Sequence, residues 1–169
     1  MPVTEFARLE FVKPNDLFSP HLLPLFTKVS ELQAAWSGYP LLFYRNINKE
    51  DEYFLISGWR DVPAHEAWMK SEQNQGLLKA LGSSVGAIDL IHLDIDYGQM
   101  PRDLDTLVLE QSSGESEVGK GTGGDNSDWQ AIGKDVEGKR DTIFHFAGYR
   151  VGGEIGTHEG SSILSRVVV

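Results

Sequence analysis

Residues 53–71 read YFLISGWRDVPAHEAWMKS. Tyr53 to Arg60 is rich in aromatic and branched side chains, which predicts a strand. Asp61 can then cap the free amides of a helix start, and Pro63 fits the first turn, where a missing N–H costs little. The helix has Ala64, Ala67, Trp68, Ser71, Gln75 and Leu78 as its expected inner face, and Gly82 and Gly86 close it. The strand alternates Phe54, Ile56 and Gly58 against Tyr53, Leu55 and Trp59, so both of its faces are apolar.

Upstream, Asn48 to Glu52 is a polar turn and Tyr39 to Ile47 a strand, giving a hairpin. Before it, Leu25, Val29, Leu32 and Trp36 form an amphipathic stripe, with Pro24 in the first turn and Gly38 at the left-handed end. Asn15, Asp16, Ser19 and Pro20 separate that helix from a first strand, Val3 to Val12, on which Val3, Ala7, Leu9 and Phe11 share a face with Glu5. Downstream, Ala87 to Asp96 alternates Ile88, Leu90, His92 and Asp94 against Asp89, Ile91, Leu93 and Ile95. The order β-α-β-β-α-β is the α+β, ferredoxin-like split βαβ arrangement, and it accounts for residues 1–98. A sheet apolar on both faces needs a second cover, either another copy of the chain or residues 99–169.

Residues 99–169 read as a degenerate second half. Asp105 to Gln111 and Thr142 to Val151 are strands, residues 112–126 a flexible loop, Ser127 to Val136 a short helix capped by Ser127 or Asp128, and Ser162 to Val169 a last strand. Setting Phe54 on Phe144 aligns Gly58 with Gly148, Trp59 with Tyr149 and Arg60 with Arg150. His65-Glu66 is echoed by His158-Glu159. Of the 18 glycines, six fall in residues 1–100 and twelve after them, concentrated where the second copy loses regular structure, including the loop 152–160 that replaces its helix.

The chain has 169 residues and a formal net charge of −10, which argues against a nucleic-acid partner and against docking on anionic membranes. It has no cysteine, hence no disulfide framework, thiol nucleophile or thiolate metal site. No apolar run approaches the roughly 18 residues of a membrane span, and the first ten residues do not resemble a signal peptide, so a cytoplasmic location is the expectation. Gly119-Lys120-Gly121-Thr122-Gly123 lacks the strand and helix a phosphate loop requires, so no nucleotide or flavin cofactor is implied.

The 53–71 stretch resembles the signature of antibiotic-biosynthesis-monooxygenase-like domains, W-x-S/D-x-x-A/E-x-x-x-F/W-x-x-S, with Trp59, Asp61, Trp68 and Ser71 in the comparable places. The resemblance covers about residues 3–96 and implies the dimeric α/β-barrel, in which two sheets pack face to face. The extended C-terminal half is similar to fungal secondary-metabolism members in which one chain supplies both halves, although a homodimer is also compatible. Some members oxidise anthrone-type polyketides with dioxygen and no cofactor, while others degrade haem or only bind. The haem-degrading branch uses a helix His after this motif and an Asn on the first strand, and neither is present here.

Candidate catalytic residues are His65, His92, His145 and Arg60. His65 lies in the first helical turn, where the helix dipole favours the neutral, proton-accepting imidazole. His92 shares a strand face with Asp94, which can fix its tautomer. His145 alternates with Ala147 and Tyr149, on the face the alignment equates with Tyr53, Leu55, Ser57 and Trp59. Arg60, like Arg150, ends an echoed strand and can hold a phenolate or enolate. Trp36, Tyr39, Tyr44, Trp59 and Trp68 are expected around a pocket for a flat, partly polar ligand. His92, Asp94 and Asp96 stand at metal-like period two, but same-face neighbours on one strand are roughly 7 Å apart, so no metal site is expected. Two functions fit: a cofactor-independent tailoring enzyme acting on an aromatic polyketide-like molecule by oxygenation or non-redox rearrangement, or a non-catalytic ligand-binding or stress-response barrel.

Overall fold

Strand β3 (Glu52–Trp59) forms where the 53–60 run predicts it, and seven of its eight residues are buried, so both faces are covered. It lies between β1 (Val3–Phe11) and β2 (Leu42–Asn46), and β4 (Val85–Leu93) pairs with the other edge of β1. Helix α1 (Leu23–Ser37) connects β1 to β2, and α2 (Val62–Lys70) and α3 (Glu72–Leu81) connect β3 to β4. These assignments come from a computed structural model that describes residues 1–113, 126–157 and 159–169, with the side chains of 86–88 excepted.

Helix α2 starts as its sequence predicts, with the Asp61 carboxylate accepting the Ala64 amide. The expected single helix to Gly82 is in fact two. Ser71 adopts an extended backbone and caps α3 by accepting the Asn74 amide at Oγ. The break rotates the inner face to His65, Trp68, Leu77 and Leu81, leaving Leu78 exposed. In α1 the buried residues are Phe26, Val29 and Gln33, one position out of phase with the expected stripe, and Trp36 is half-exposed. Gln33 turns inward because it has a buried partner on β1.

The second half supplies β5 (Thr106–Ser113), β6 (Trp129–Lys134), β7 (Thr142–Tyr149) and β8 (Ser162–Val167). The helix expected over 127–136 is a strand instead. The Asp128 carboxylate accepts from the Arg150 backbone and guanidinium rather than capping a helix, and Gly133 fits closely against Ile95. Residues 114–125 of the expected 112–126 loop and His158 of the echo lie outside the described residues, while Ser112 and Ser113 end β5.

All eight strands form one antiparallel sheet in the order β4-β1-β3-β2-β8-β5-β7-β6. The β2–β8 pairing joins the halves, and the two outer strands, β4 and β6, meet through a Leu93–Asp135 bridge. The Val136 amide donates to the His92 carbonyl across this seam, at 2.9 Å. The sheet is thus a nearly closed barrel within one chain. Its interior is packed with Phe6, Tyr44, Phe54, Phe144 and Phe146 around a void of about 10 Å³ beside Ile56 and Met100, and one end opens as a hollow of about 240 Å³ against Phe6, Phe54 and Phe144. Among the described residues, α1, α2 and α3 cover the outside of the first half, over a second core that includes Leu9, Phe26, Phe43, Leu55 and Trp68. No helix among the described residues is long and apolar enough to cross a membrane.

Candidate active site

Sheet and helices of the first half enclose a cavity of about 550 Å³. Its walls are mainly apolar: Ala7 and Leu9 on β1, Phe26 and Val29 on α1, Leu55 on β3, Trp68 and Met69 on α2, Leu77 and Leu81 on α3, and Leu90 on β4. Glu5, Gln33, His65, Asn74, Asp89 and Lys139 bring in the polar groups. An apolar hollow with a few convergent polar atoms is the form small-molecule sites take.

Glu5 lies mid-strand on the helix-facing side of β1 and is 4% exposed, because the period-two alternation gives it the same face as Val3, Ala7 and Leu9. Gln33 Nε2 and Trp59 Nε1 both donate to its Oε2, at 2.9 and 2.7 Å. Its Oε1 faces Nε2 of His65 at 3.7 Å. Burial raises the Glu5 carboxyl from about 4.5 to about 7, a rise the two hydrogen bonds only partly oppose.

His65 is fully enclosed, stacked on Trp59 at 4.5 Å between ring centroids. Burial, helped by the neighbouring His92, pushes it down to about 3, while the Glu137 carboxylate pulls the other way. Both shifts favour uncharged forms, so between about pH 3 and pH 7 the approach of Glu5 and His65 is that of a neutral acid and a neutral base, not an ion pair. Nδ1 of His65 lies 2.7 Å from Nε2 of His92. Nδ1 of His92 lies 2.9 Å from Oε2 of Glu137, and Lys139 Nζ donates to Glu137 Oε1 at 2.9 Å. A continuous polar chain therefore runs from Gln33 and Trp59 through Glu5, His65 and His92 to Glu137 and Lys139.

Of the residues singled out in the sequence, His65 and His92 meet. The carboxylate beside His92 is Glu137, not Asp94, which accepts the Lys134 amide, and Asp96 accepts the Gly98 amide, so the three period-two side chains do not converge. Trp68 lines the cavity, with Trp36 packed on it at 5.5 Å from outside. Trp59 lies behind His65 and Glu5. Tyr44 and Tyr39 are elsewhere: the pleat turns Tyr44 into the barrel, where its hydroxyl donates to the Leu104 carbonyl, and Tyr39 packs edge-on against Tyr97. His145 sits on the outer face of the second half, in contact with Ser112 and opposite Ile132, away from the helices. Arg60 is exposed and pairs with Asp61, because the chain leaves the sheet at Trp59, and Arg150 pairs with Asp103 and Asp128. Glu5, Gln33 and Glu137 were not among the expected site residues. A lone carboxylate on the apolar face of β1 is the signal that points to the first.

No family model and no curated protein matches the sequence. Among solved structures, a candidate monooxygenase from Fusobacterium nucleatum is similar, with TM-score 0.61 at 9% identity over 99% of this chain and 93% of that one. A candidate monooxygenase from Lactobacillus acidophilus gives 0.59 at 8% identity over 98% and 93%. A candidate chlorite dismutase gives 0.58 at 8% identity over 98% and 95%. At these identities the likeness is one of fold: the chain shares the antiparallel α+β barrel over nearly its whole length.

Proposed function

We propose that the protein is a cofactor-independent oxygenase of a flat, weakly acidic small molecule held in the 550 Å³ cavity. The observation that carries this reading is the neutral Glu5–His65 pair beside an apolar pocket, which places an acid and a base within reach of one bound molecule. His65 Nε2 takes a proton from an activated methylene. The carbanion spreads onto a conjugated carbonyl oxygen, and the protonated Oε1 of Glu5 donates a hydrogen bond to that oxygen. A carboxyl kept neutral by burial is suited to this role. The carbanion then transfers electrons to dioxygen and forms a carbon–oxygen bond, giving a hydroperoxide after protonation. Loss of water leaves a ketone, so that R₂CH₂ + O₂ gives R₂C=O + H₂O. One oxygen atom enters the product, and the substrate itself supplies all four electrons. An aromatic polyketide of the anthrone type, from fungal secondary metabolism, has the required acidity and shape.

Dioxygen uptake with anthrone-type substrates tests this. Glu5→Ala and His65→Gln are each expected to lower turnover by about 10²-fold or more. Turnover that survives both changes removes the reading, and tight binding with no uptake in the unaltered protein leaves a binding module instead.

A further inference from the structure

We propose that His65 acts as a base only through His92 and Glu137, which set its tautomer and carry the abstracted proton out of the pocket to the surface turn after β6. The inference rests on the reading of His65 as the base, but the tautomers it requires can be read without substrate.

The hydrogen-bond roles along the chain can be assigned from its outer end. Glu137 is held below the usual carboxylate range by the Lys139 ammonium and by His92, so it is an acceptor only. Nδ1 of His92, 2.9 Å away, must then carry a proton. With His92 neutral, its Nε2 is a lone pair, and the facing Nδ1 of His65, at 2.7 Å, carries a proton in turn. His65 Nε2 is left as a lone pair, 3.7 Å from Glu5 Oε1. At the inner end, Trp59 and Gln33 occupy Glu5 Oε2, so the carboxyl proton sits on Oε1. Starting from Glu137 or from Glu5, the same tautomer of His65 results.

This arrangement resolves a conflict in the site. Burial makes an imidazolium at His65 costly, which on its own makes that ring a poor base. When Nε2 receives a proton, however, Nδ1 can release one to His92 Nε2. His65 remains neutral, now protonated at Nε2, and the positive charge appears on His92, beside the Glu137 carboxylate. From His92 Nδ1 the proton passes to Glu137, whose side chain is 21% exposed. One proton enters the chain and one leaves it.

The second half of the molecule is what completes the relay. The seam pairing of Val136 with His92 brings the turn against β4. Asp135 then clamps it, its Oδ1 accepting the Glu137 amide at 2.9 Å and its Oδ2 the Lys139 amide at 3.0 Å. Gly138 supplies the left-handed backbone the turn requires, at φ +66°. The titratable groups around the two rings are Glu5 on β1 and Asp135, Glu137 and Lys139 on this turn, with Glu66 of α2 near Lys139.

The test uses the full chain with ¹⁵N-labelled histidine. In Glu5→Gln the side-chain amide mimics the protonated carboxyl, so the rings can be read at pH 8 without Glu5 ionising. Long-range ¹H–¹⁵N correlation is expected to show both His65 and His92 neutral and protonated at Nδ1. Adding Glu137→Ala removes the acceptor of His92 Nδ1 and is expected to lower the Nδ1–H population of His92. A His65 protonated at Nε2 in Glu5→Gln, or a His92 whose tautomer ignores Glu137→Ala, overturns the relay. In a turnover assay, Glu137→Ala alone is expected to lower kcat by about tenfold or more with KM little changed. Because the tautomer is read without substrate, the relay can fail while the oxygenase reading stands, and the reverse.

Discussion

Glu5 is the residue on which site and stability meet. Its carboxyl titrates near 4.5 when unfolded and about 7 when folded, so its contribution to stability is full below pH 4.5 and lost as pH rises through 7. His65 acts in the opposite sense: with its folded value about 3 against an ordinary 6.5, its contribution is present above pH 6.5 and lost as pH falls through 3. Between pH 4.5 and 6.5 the two slopes oppose each other. Glu5→Gln keeps an acceptor for Trp59 and Gln33 and removes only the carboxyl titration. The Tm of that variant relative to the unaltered protein is therefore expected to rise from pH 4.5 to about 7 and then level off, as followed by thermal melts across pH. A difference that stays flat with pH contradicts the raised Glu5 value. Trp59→Phe removes the shorter of the two donors to Oε2, so the Glu5 titration is expected to move further up and stability to fall by about 1–3 kcal/mol. At this scale the sequence was partly legible. His65 and His92 stood out as chemistry-bearing residues, and the alternation placed Glu5 on an apolar face. Glu137 was not legible, because its place beside His92 depends on a seam between strands far apart in the chain.

The elements were readable where one local pattern decided them. The strands of the first half, the Asp61 cap and the Gly38 helix end are set by neighbours in sequence. Two elements were misread because long-range partners decided them. Gln33 faces inward, against the stripe of Leu25, Val29, Leu32 and Trp36, because Glu5 awaits it there. Residues 129–134 form a strand, despite a plausible cap, because Asp128 binds Arg150 and β7 offers an edge. The same dependence makes Gly58 and Gly148, like Gly133 against Ile95, sensitive to an added side chain. A Cβ on Gly58 would meet side-chain atoms of Tyr97 at 2.6 Å and Tyr39 at 2.8 Å, and one on Gly148 would meet Leu104 at 2.5 Å. Gly58→Ala and Gly148→Ala are each expected to cost about 1–3 kcal/mol by overpacking, measured by denaturant unfolding. Gly76→Ala, at a helical position with open space around it, is expected to be neutral or mildly stabilising in the same assay.

In the whole molecule, the first half orders its strands β4-β1-β3-β2 and the second half β8-β5-β7-β6, the same pattern element for element. We read residues 99–169 as a degenerate second copy that kept its strands and, among the described residues 126–157 and 159–169, carries no helix. A chain ending at Gly98 would expose Phe6, Leu42, Tyr44, Phe54 and Ile56 and the open edge of β2. Such a chain is expected to aggregate or self-associate on size-exclusion chromatography, and a well-folded monomer would contradict the covering role of the second half. The sheet, the helices and the seam together bury Glu5 to 4% exposure, so its protonation state reports on the whole arrangement. The most direct test of the account is a ¹³C NMR titration of the Glu5 carboxyl in the intact chain, assigned with Glu5→Gln. A midpoint about 7, with the carboxyl still protonated at pH 6, is the expected result. A midpoint near 4.5, with the carboxylate formed at pH 5.5, would contradict it.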